Sequence, residues 1–417
     1  MWADPMETTS LLPDDILEEI LVRLPVKYLL QWKCVSKHWY TLISDYEFAK
    51  KHYHFQYAML GADNDAGPLF LDLPSKISKP VQFKLLSKVG GDNVVLDMTA
   101  DFERDIPPRF SNDCELRKLS LRCMGIINGV IGLQWGRTRL ALWNPATREF
   151  KDVARWPNIP NNKAAEQFGC DIHGLVFDQQ ANDFKILGLI NFDGGENDDI
   201  STIYEFHLYS LKSNSWKRIK KGPSCRLSVI FSDTDAYLNN GVYYWLTIKD
   251  IWSDENPILC FNFSTEIFKE FEPPKGSGCR SNHRTRIFNG HVMCDCKYQQ
   301  TIGKYKEGLA LFVTRTLQNM NCSFEIWAVT KFREDDHGVP LSWELVVTVE
   351  PIHSFPWSLT VRAFRAYGDL LVIVQRGNYG KDYEACLYDP STHTFNNLGL
   401  SFCSCFKYVE SLFSVSG

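Results

Sequence analysis

Residues 12–43 read LPDDILEEILVRLPVKYLLQWKCVSKHWYTLI, and their periodicity sets this part of the chain apart from the rest. In the first half, apolar residues recur near the 3.6-residue period of an amphipathic helix. These residues are Ile16, Leu17, Ile20, Leu21 and Leu24. Pro13 suits the first turn of this helix, because the N–H that proline lacks would have no partner there. Pro25 is expected to end the helix.

The second half, Val26–Ile43, is also periodic, with its apolar residues on one broad face. A shorter run at Glu47–Tyr53 predicts a third helical segment. Residues 8–53 are therefore predicted to form a three-helix domain. Three short helices bury too little apolar surface to be secure alone, so we expect this domain to complete its core against a partner.

Beyond Tyr57 the pattern changes. Gly61–Pro68 is rich in turn-forming residues, and we assign residues 54–68 to a linker. After it, short apolar or alternating runs are separated by Asn, Gly, Asp and Pro, which is typical of many short strands. Residues 69–417 are therefore predicted to form an all-β domain, so the fold class is α+β and multidomain.

Four nine-residue segments in the β part share one design. Each has an aromatic residue at its second and last positions around a turn-rich centre, which is the pattern of a β-hairpin. The segments are LWNPATREF (Leu142–Phe150), LYSLKSNSW (Leu208–Trp216), CFNFSTEIF (Cys260–Phe268) and LYDPSTHTF (Leu387–Phe395). A fifth, stretched copy runs from Glu325–Val329 across a longer loop to Trp343.

These hairpins recur about every 50 to 65 residues, the length of a four-stranded blade in a kelch-type propeller. Gly-led runs between them, at Asn128–Trp135, Asn239–Leu246 and Tyr367–Val374, predict the inner strands of the same blades. Residues 69–120 are expected to hold one further, degenerate blade. The sequence thus predicts a propeller-like domain of about six blades.

Composition narrows the class of protein. Aromatic residues make up 13% of the chain, which favours β structure because large flat side chains cover pleated surfaces. The net charge of −5 and the pI near 6.1 give no reason to expect binding to nucleic acid or an anionic membrane. No segment approaches the ~18 apolar residues of a membrane span, and the first residues lack the apolar core of a secretory signal. The 13 cysteines fit reduced, buried thiols, so we expect a cytoplasmic protein, with the nucleus as a further compartment.

Residues 12–43 closely resemble the F-box motif, in the variant LPVK-LL-KCVSK-W-LI typical of plant proteins. The β part resembles the F-box-associated domain that follows this motif in plants. Four stretches carry that likeness: NGVIGL, WNPATREF, FGCDIHGLVFDQQANDFKIL (Phe168–Leu187) and NNGVYYWL. The ending YVESLFSV (Tyr408–Val415) resembles the C-terminus of the same class, which includes the S-locus F-box group. Cys170 departs from the family, which usually has an aromatic residue after the preceding glycine.

The resemblance implies the substrate-recognition subunit of a Skp–cullin–F-box ubiquitin ligase. The F-box would dock a Skp-type adaptor and through it a cullin–RING ligase, while the propeller would hold an unidentified protein target for ubiquitylation and degradation. Such a receptor acts by proximity, because it brings a lysine of the target near the charged ubiquitin-conjugating enzyme. It needs no catalytic residue, metal or cofactor of its own.

The residues expected to contact the adaptor are apolar or proline positions of the F-box motif. They are Leu12, Pro13, Ile16, Leu17, Ile20, Leu24, Pro25, Leu29, Val35 and Trp39. Some of them must build the domain's own core, and the sequence does not divide the set.

Three alternatives stay open from the residues. A propeller can house an enzyme, although the chain has no HExxH, GxSxG, P-loop or GxGxxG motif. A zinc site would have to draw on Cys279, His283, His291, Cys294 and Cys296, whose spacing does not match the usual paired knuckles. An F-box scaffold that acts with the adaptor outside ubiquitylation would have an identical sequence.

Target recognition is the least specified part of the sequence. Loops on a rigid scaffold tolerate sequence change and often bind partners. The candidate loops are Asn191–Ile200, Lys249–Pro257, Gly276–Arg286 and Arg333–Pro340. The third is basic and the others are acidic, and a solvated turn is the alternative interpretation of each.

Overall fold

The structure is a computed structural model of the 417-residue chain. It describes residues 13–62, 69–72, 83–89, 92–96, 121–135, 139–154, 169–192, 203–220, 222, 228–229, 237–239, 241–248, 257–278, 285–288, 291–294, 298–305, 308–316, 322–333, 338–352, 359–366, 369–376, 382–389, 394–397 and 404–416. Leu12 and most of the four candidate target loops lie outside these residues.

The N-terminal domain has four helices, not the three predicted. They are α1 (Asp14–Leu21), α2 (Val26–Trp32), α3 (Lys37–Ser44) and α4 (Tyr46–Ala62). The predicted second helix is divided because the Ser36 hydroxyl accepts the Trp39 N–H at 3.2 Å and so starts a new helix. The third segment is longer than predicted, since α4 continues through residues assigned to the linker.

The longest helix, α4, holds the end of α1 in place. Its His52 Nε2 donates to the carbonyl oxygen of Leu24 at 2.8 Å, and its Gln56 Nε2 donates to the carbonyl oxygen of Val22 at 3.2 Å. These carbonyls follow the last turn of α1, where backbone acceptors lack partners within the helix. The side chains of α4 therefore replace the missing helical hydrogen bonds.

In its described residues, the β domain consists of six antiparallel sheets. Sheet 1 contains β1 (Leu69–Asp72), β2 (Phe83–Val89) and β3 (Asp92–Leu96). Sheet 2 contains β4 (Leu121–Ile127), β5 (Val130–Trp135), β6 (Arg139–Asn144) and β7 (Glu149–Asp152). Sheet 3 contains β8 (Gly169–Asp178), β9 (Asp183–Phe192), β10 (Ile203–Ser210) and β11 (Ser215–Arg218).

The chain continues through three further sheets. Sheet 4 contains β12 (Ser228–Val229), β13 (Tyr237–Asn239), β14 (Val242–Ile248), β15 (Ile258–Asn262) and β16 (Ile267–Phe271). Sheet 5 contains β17 (Thr285–Phe288), β18 (His291–Cys294), β19 (Tyr298–Tyr305), β20 (Gly308–Thr316), β21 (Cys322–Phe332) and β22 (Pro340–Ile352). Sheet 6 contains β23 (Leu359–Ala366), β24 (Asp369–Arg376), β25 (Asp382–Asp389) and β26 (Thr394–Asn397).

The last strand, β27 (Ser404–Lys407), returns to sheet 1 and closes the ring. It pairs antiparallel with β1, where Phe406 lies opposite Phe70. The first and last parts of the β domain therefore share one blade, which leaves no free ends in the circle of sheets. This arrangement is a six-bladed propeller, as the repeat predicted.

The core lies between neighbouring blades. Along β14, Val242, Tyr244 and Leu246 pack with sheet 5, whereas Tyr243 and Trp245 pack with sheet 3. Successive side chains of a strand point to opposite faces, so one strand contributes to two interfaces. This explains the high aromatic content, because both faces of an inner strand need large apolar side chains.

All five predicted hairpins are present, and in four of them two aromatic residues lie opposite each other, whereas the fifth pairs Trp343 with a valine. Trp143 lies opposite Phe150, Tyr209 opposite Trp216, Phe261 opposite Phe268, Tyr388 opposite Phe395 and Val329 opposite Trp343. The ring centroids are 4.6 Å apart in Phe261–Phe268 and 5.3 Å apart in Tyr209–Trp216. Aromatic pairs at such distances add stability beyond the area they bury.

The turns follow from an asparagine that ends the outgoing strand in two of these hairpins. In the first, Oδ1 of Asn144 accepts hydrogen bonds from the N–H groups of Ala146 and Thr147. In the second, Oδ1 of Asn262 accepts hydrogen bonds from the N–H groups of Ser264 and Thr265. An Asx turn of this kind starts the reversal without help from the rest of the fold. The nine-residue segment therefore encodes both the turn and the pair that closes it.

We expect Phe261→Ala to lower the free energy of unfolding by about 3–5 kcal/mol, because it leaves a cavity in the core. Phe261 is 0% exposed, and its ring contacts those of Phe263 and Phe268. Ile267→Ala, in the same hairpin but at a side chain that is 46% exposed, should cost about 1 kcal/mol or less. Chemical denaturation followed by tryptophan fluorescence measures both. Equal losses would contradict the role given to the aromatic pair.

Candidate functional site

The helices expose an unusual amount of apolar surface. The set comprises Ile16 (46% exposed), Ile20 (45%), Tyr28 (50%), Val35 (63%) and Tyr40 (58%), and we call it the exposed apolar set. Ile16 and Ile20 are one helical turn apart in α1, so their side chains are neighbours on its surface. Large exposed apolar side chains on a small domain are candidates for contact with a partner.

The structure divides nine of the ten residues predicted to contact an adaptor, since Leu12 lies outside the described residues. Pro13, Ile16, Ile20, Pro25 and Val35 are exposed, and Leu24 and Trp39 are half-buried. Leu17 and Leu29 are 6% and 0% exposed and lie in the domain's own core, so their side chains are out of reach of a partner. Contact between the adaptor and the accessible residues stays a prediction.

Two exposed aromatic residues were absent from the prediction. Tyr28 in α2 and Tyr40 in α3 are both half-exposed or more. Tyrosine is a frequent anchor in interfaces, because its large ring is apolar and its hydroxyl tolerates water. The 3.6-residue period could not single them out, since they lie off the apolar face that it detects.

Ion pairs hold the helices that carry this surface. Lys51 Nζ in α4 lies 2.9 Å from Glu19 and 3.4 Å from Glu18 in α1, and His38 in α3 lies 3.0 Å from Asp14. A hydrogen bond and the charge of Lys51 lower the pKa of Glu19. These contacts are largely exposed, so each adds little stability, but together they orient α1 against its neighbours.

A second exposed apolar group lies on the outer strand of sheet 5. Leu341 is 61% exposed, Leu345 42% and Val346 39%. Their strand, β22, has 13 residues, whereas the outermost strands of the other five sheets have four or five in the part of the chain described. Short outer strands limit unwanted pairing, so β22 is the exception.

The described residues show neither a metal site nor a membrane-spanning helix. No group of three His, Cys, Asp or Glu among them could hold a metal ion. Cys279, His283 and Cys296, which the zinc alternative needs, lie outside the described residues. No helix within the described ranges is long and apolar enough to cross a membrane.

Comparison with protein families identifies both domains. Residues 9–51 match the F-box domain, and residues 106–415 match the F-box associated beta propeller domain, which covers well over half of the chain. The chain belongs to the F-box proteins with an F-box-associated propeller. The four-helix domain is therefore the F-box. The ring of six sheets that follows it in the chain is the family's propeller.

Curated relatives place this F-box protein among those of plants. It is 31% identical to F-box protein CPR1 of Arabidopsis thaliana over 353 residues, which cover 81% of this chain and 73% of CPR1. It is 29% identical to F-box/WD-40 repeat-containing protein 1 of the same plant, over 62% of this chain and 55% of that protein. Apart from CPR1, the first relatives are matched over 55% to 64% of their own length.

Solved structures show only weak likeness. An oligogalacturonate lyase from Vibrio parahaemolyticus is 10% identical with a TM-score of 0.37, over 76% of this chain and 71% of the lyase. A prolyl endopeptidase is 9% identical with a TM-score of 0.39, over 88% of this chain and 56% of the peptidase. At such TM-scores neither likeness carries an argument about activity.

The buried His52 predicts how the F-box responds to acid. Burial lowers the pKa of His52 below its ordinary value, and the hydrogen bond to Leu24 opposes this only in part. Since the unfolded state takes up the proton first, the contribution of His52 to stability is complete above about pH 6.5 and is lost as the pH falls below that value.

We expect His52→Gln to reduce the loss of F-box stability between pH 7 and pH 5, roughly the window below the ordinary histidine pKa. Glutamine keeps a donor for Leu24 but takes up no proton. Hydrogen exchange of α1 and α4 amides at several pH values is the measurement. His54→Gln, on the exposed side of the same helix, is the control, and an identical pH response of His52→Gln and the unmodified chain would refute the prediction.

Proposed function

We propose that this protein is the non-catalytic substrate receptor of a Skp–cullin–F-box ubiquitin ligase. The observation that carries the proposal is an F-box with its motif core buried and an apolar surface left exposed on the same helices. Leu17 and Leu21 of α1 are buried, while Ile16 and Ile20 of the same helix are 46% and 45% exposed. A helix that is apolar on two sides has one side for its own domain and one for a partner.

The partner of that surface is a Skp-type adaptor, which links the receptor to a cullin–RING ligase. A stable interface buries upwards of about 1,000 Å², with a few aromatic and aliphatic anchors supplying most of the binding energy. The exposed apolar set offers five such anchors, three of them aliphatic and two aromatic. Pro13 and Pro25 precede α1 and α2 and fix how those helices enter the surface.

The propeller is the part that captures the protein target. It exposes the long apolar strand β22, and closure of its ring makes it a rigid support for variable loops. The receptor works in the cytoplasm, with the nucleus as a further compartment. Its contribution to the reaction is to hold a target lysine near the conjugating enzyme, which raises the effective concentration of one for the other.

We expect Ile16→Asp with Ile20→Asp to weaken adaptor binding at least about 30-fold, because each substitution puts a charge in an apolar interface. Titration of the purified double variant with a Skp-type adaptor measures the loss. Met59→Asp changes a side chain of α4 that is 48% exposed and should bind like the unmodified chain. Undiminished binding by a folded double variant would exclude this surface as the adaptor site.

The ligase role needs a separate test, because an F-box scaffold would bind the adaptor equally well. Co-precipitation of a cullin with the unmodified chain, and its loss with the double variant, is the result expected of a ligase subunit. More target protein should also be found bound to the double variant. Its propeller still binds the target, but the variant cannot bring the target to the ligase. Adaptor binding with no cullin in the complex would favour the scaffold.

A further inference from the structure

The residues after β27 lie at the junction between the F-box and the propeller. We call Tyr408–Ser416 the C-terminal clasp. Its buried side chains are Tyr408, Val409, Ser411, Leu412, Phe413 and Val415, all 7% exposed or less. A segment outside the sheets that is buried to this degree is held by packing against its surroundings, which indicates a structural role.

Adjacent side chains of the clasp enter different domains. Leu412 belongs to the F-box core, together with Leu21, Phe48 and Ile43. Phe413 belongs instead to the core shared by sheets 2 and 3 of the propeller. The side chains of these two neighbouring residues point in opposite directions, so a single peptide bond of the clasp connects the two hydrophobic cores.

The ring of Phe413 is held from both sides. Tyr46 and Tyr53 of α4 approach it with centroid distances of 5.9 and 6.1 Å, both edge-on. Phe177 and Phe184 of sheet 3 approach it at 5.3 and 6.3 Å. Tyr53 itself is half-buried, and burial raises the pKa of its hydroxyl.

Sheet 2 holds the backbone of the clasp by hydrogen bonds. Nδ2 of the buried Asn144 donates to the carbonyl oxygen of Phe413 at 2.7 Å and to that of Ser411 at 3.1 Å. Oε2 of Glu149 accepts the Ser414 hydroxyl at 2.7 Å and the Val415 N–H at 2.8 Å. These bonds satisfy backbone groups of a segment that has no strand partner of its own.

A glycine of sheet 2 makes room for the clasp. A Cβ at Gly129 would lie 2.5 Å from the carbonyl oxygen of Val409 and 2.6 Å from Oγ of Ser411. Gly129 also has a φ of +73°, in the turn that joins β4 to β5. Both the conformation and the contact require glycine at this position.

Within the exposed apolar set, Ile16 and Ile20 lie on the side of α1 away from the core that contains Leu412. Leu17 and Leu21 share the cluster that contains Leu412, whereas Ile16 and Ile20 are exposed. An adaptor bound to the exposed residues would therefore leave the clasp in place. Adaptor binding and clasp packing can be disrupted separately.

We infer that the C-terminal clasp fixes the orientation of the F-box relative to the propeller, so that the adaptor and the target are carried by one rigid body. This inference rests on the proposed function and adds to it how the two binding surfaces are held in relation to each other. A rigid connection between the two domains keeps the bound target within a narrow range of positions relative to the adaptor. A flexible connection spreads the target over a large volume and so lowers its effective concentration. Tyr46, Tyr53 and Phe413 are positioning residues in this sense.

Leu412→Asp is the direct test, because it removes the clasp side chain that enters the F-box core. Two quantities should change: hydrogen exchange of the α4 amides should speed up at least about tenfold, and small-angle scattering of the adaptor complex should change from one compact shape to a broader ensemble. The affinity for the adaptor should stay within about threefold, since the exposed apolar set is unchanged. Glu149→Ala, which loosens the clasp from the propeller side, should move both quantities in the same direction.

Two controls separate this inference from the proposed function. Leu341→Asp makes the same chemical change at a propeller side chain that is 61% exposed, and it should alter neither quantity. Ile20→Asp should weaken adaptor binding, by less than the double variant does, and should leave the hydrogen exchange of α4 unchanged. If both Ile20→Asp and the Ile16/Ile20 double variant kept full adaptor binding, that result would contradict the proposed function. It would not contradict the role of the clasp.

Two results would overturn the clasp. One is a folded Leu412→Asp or Glu149→Ala variant whose scattering and exchange match those of the unmodified chain. The other is a Leu412→Asp variant that no longer binds the adaptor, since the clasp would then be needed to fold the F-box and not to orient it. Retained adaptor binding with a broadened ensemble is the supporting result.

Discussion

The arrangement of the two domains depends on the packing of Phe413 between α4 and the second and third blades. Its ring meets tyrosines of the F-box on one side and phenylalanines of sheet 3 on the other, while Leu412 enters the F-box core. The clasp directly follows β27, which pairs with β1 and closes the ring. Closure of the ring places the clasp between the F-box and the propeller. Completion of the propeller and docking of the F-box are therefore linked.

Four of the five stretches that resemble the F-box-associated domain contribute to this joint. NGVIGL supplies Gly129, WNPATREF supplies Asn144 and Glu149, and YVESLFSV is the clasp itself. The stretch at Phe168–Leu187 supplies both phenylalanines that contact Phe413. The likeness therefore identifies an architecture that holds two domains together, and it is silent about which target the propeller binds. The residues that determine which target binds need not be the residues that hold the two domains together.

The propeller and the F-box expose apolar surface for different reasons. Four of the six blades close their outer hairpin with a cross-strand aromatic pair, so many large side chains pack inside the domain. The F-box has too little interior for this, because its helices are short. It completes its core with Leu412 from the clasp and still leaves Ile16 and Ile20 outside. A small domain with a filled core and an apolar exterior is suited to join a larger assembly.

The amino-acid sequence by itself determined the features that depend on neighbours in the chain: the helical period of α1, the turns at Asn144 and Asn262, and the spacing of the blades. Local hydrogen bonds and side-chain alternation produce these features wherever the segment lies. It could not divide the predicted adaptor residues, because Ile16 and Leu17 are equally apolar and differ only in what packs against them. Nor could it show that Leu412 belongs to the F-box, since almost the whole chain separates that residue from α1. Burial and long-range contact are properties of the assembled molecule, and only the tertiary structure decided them.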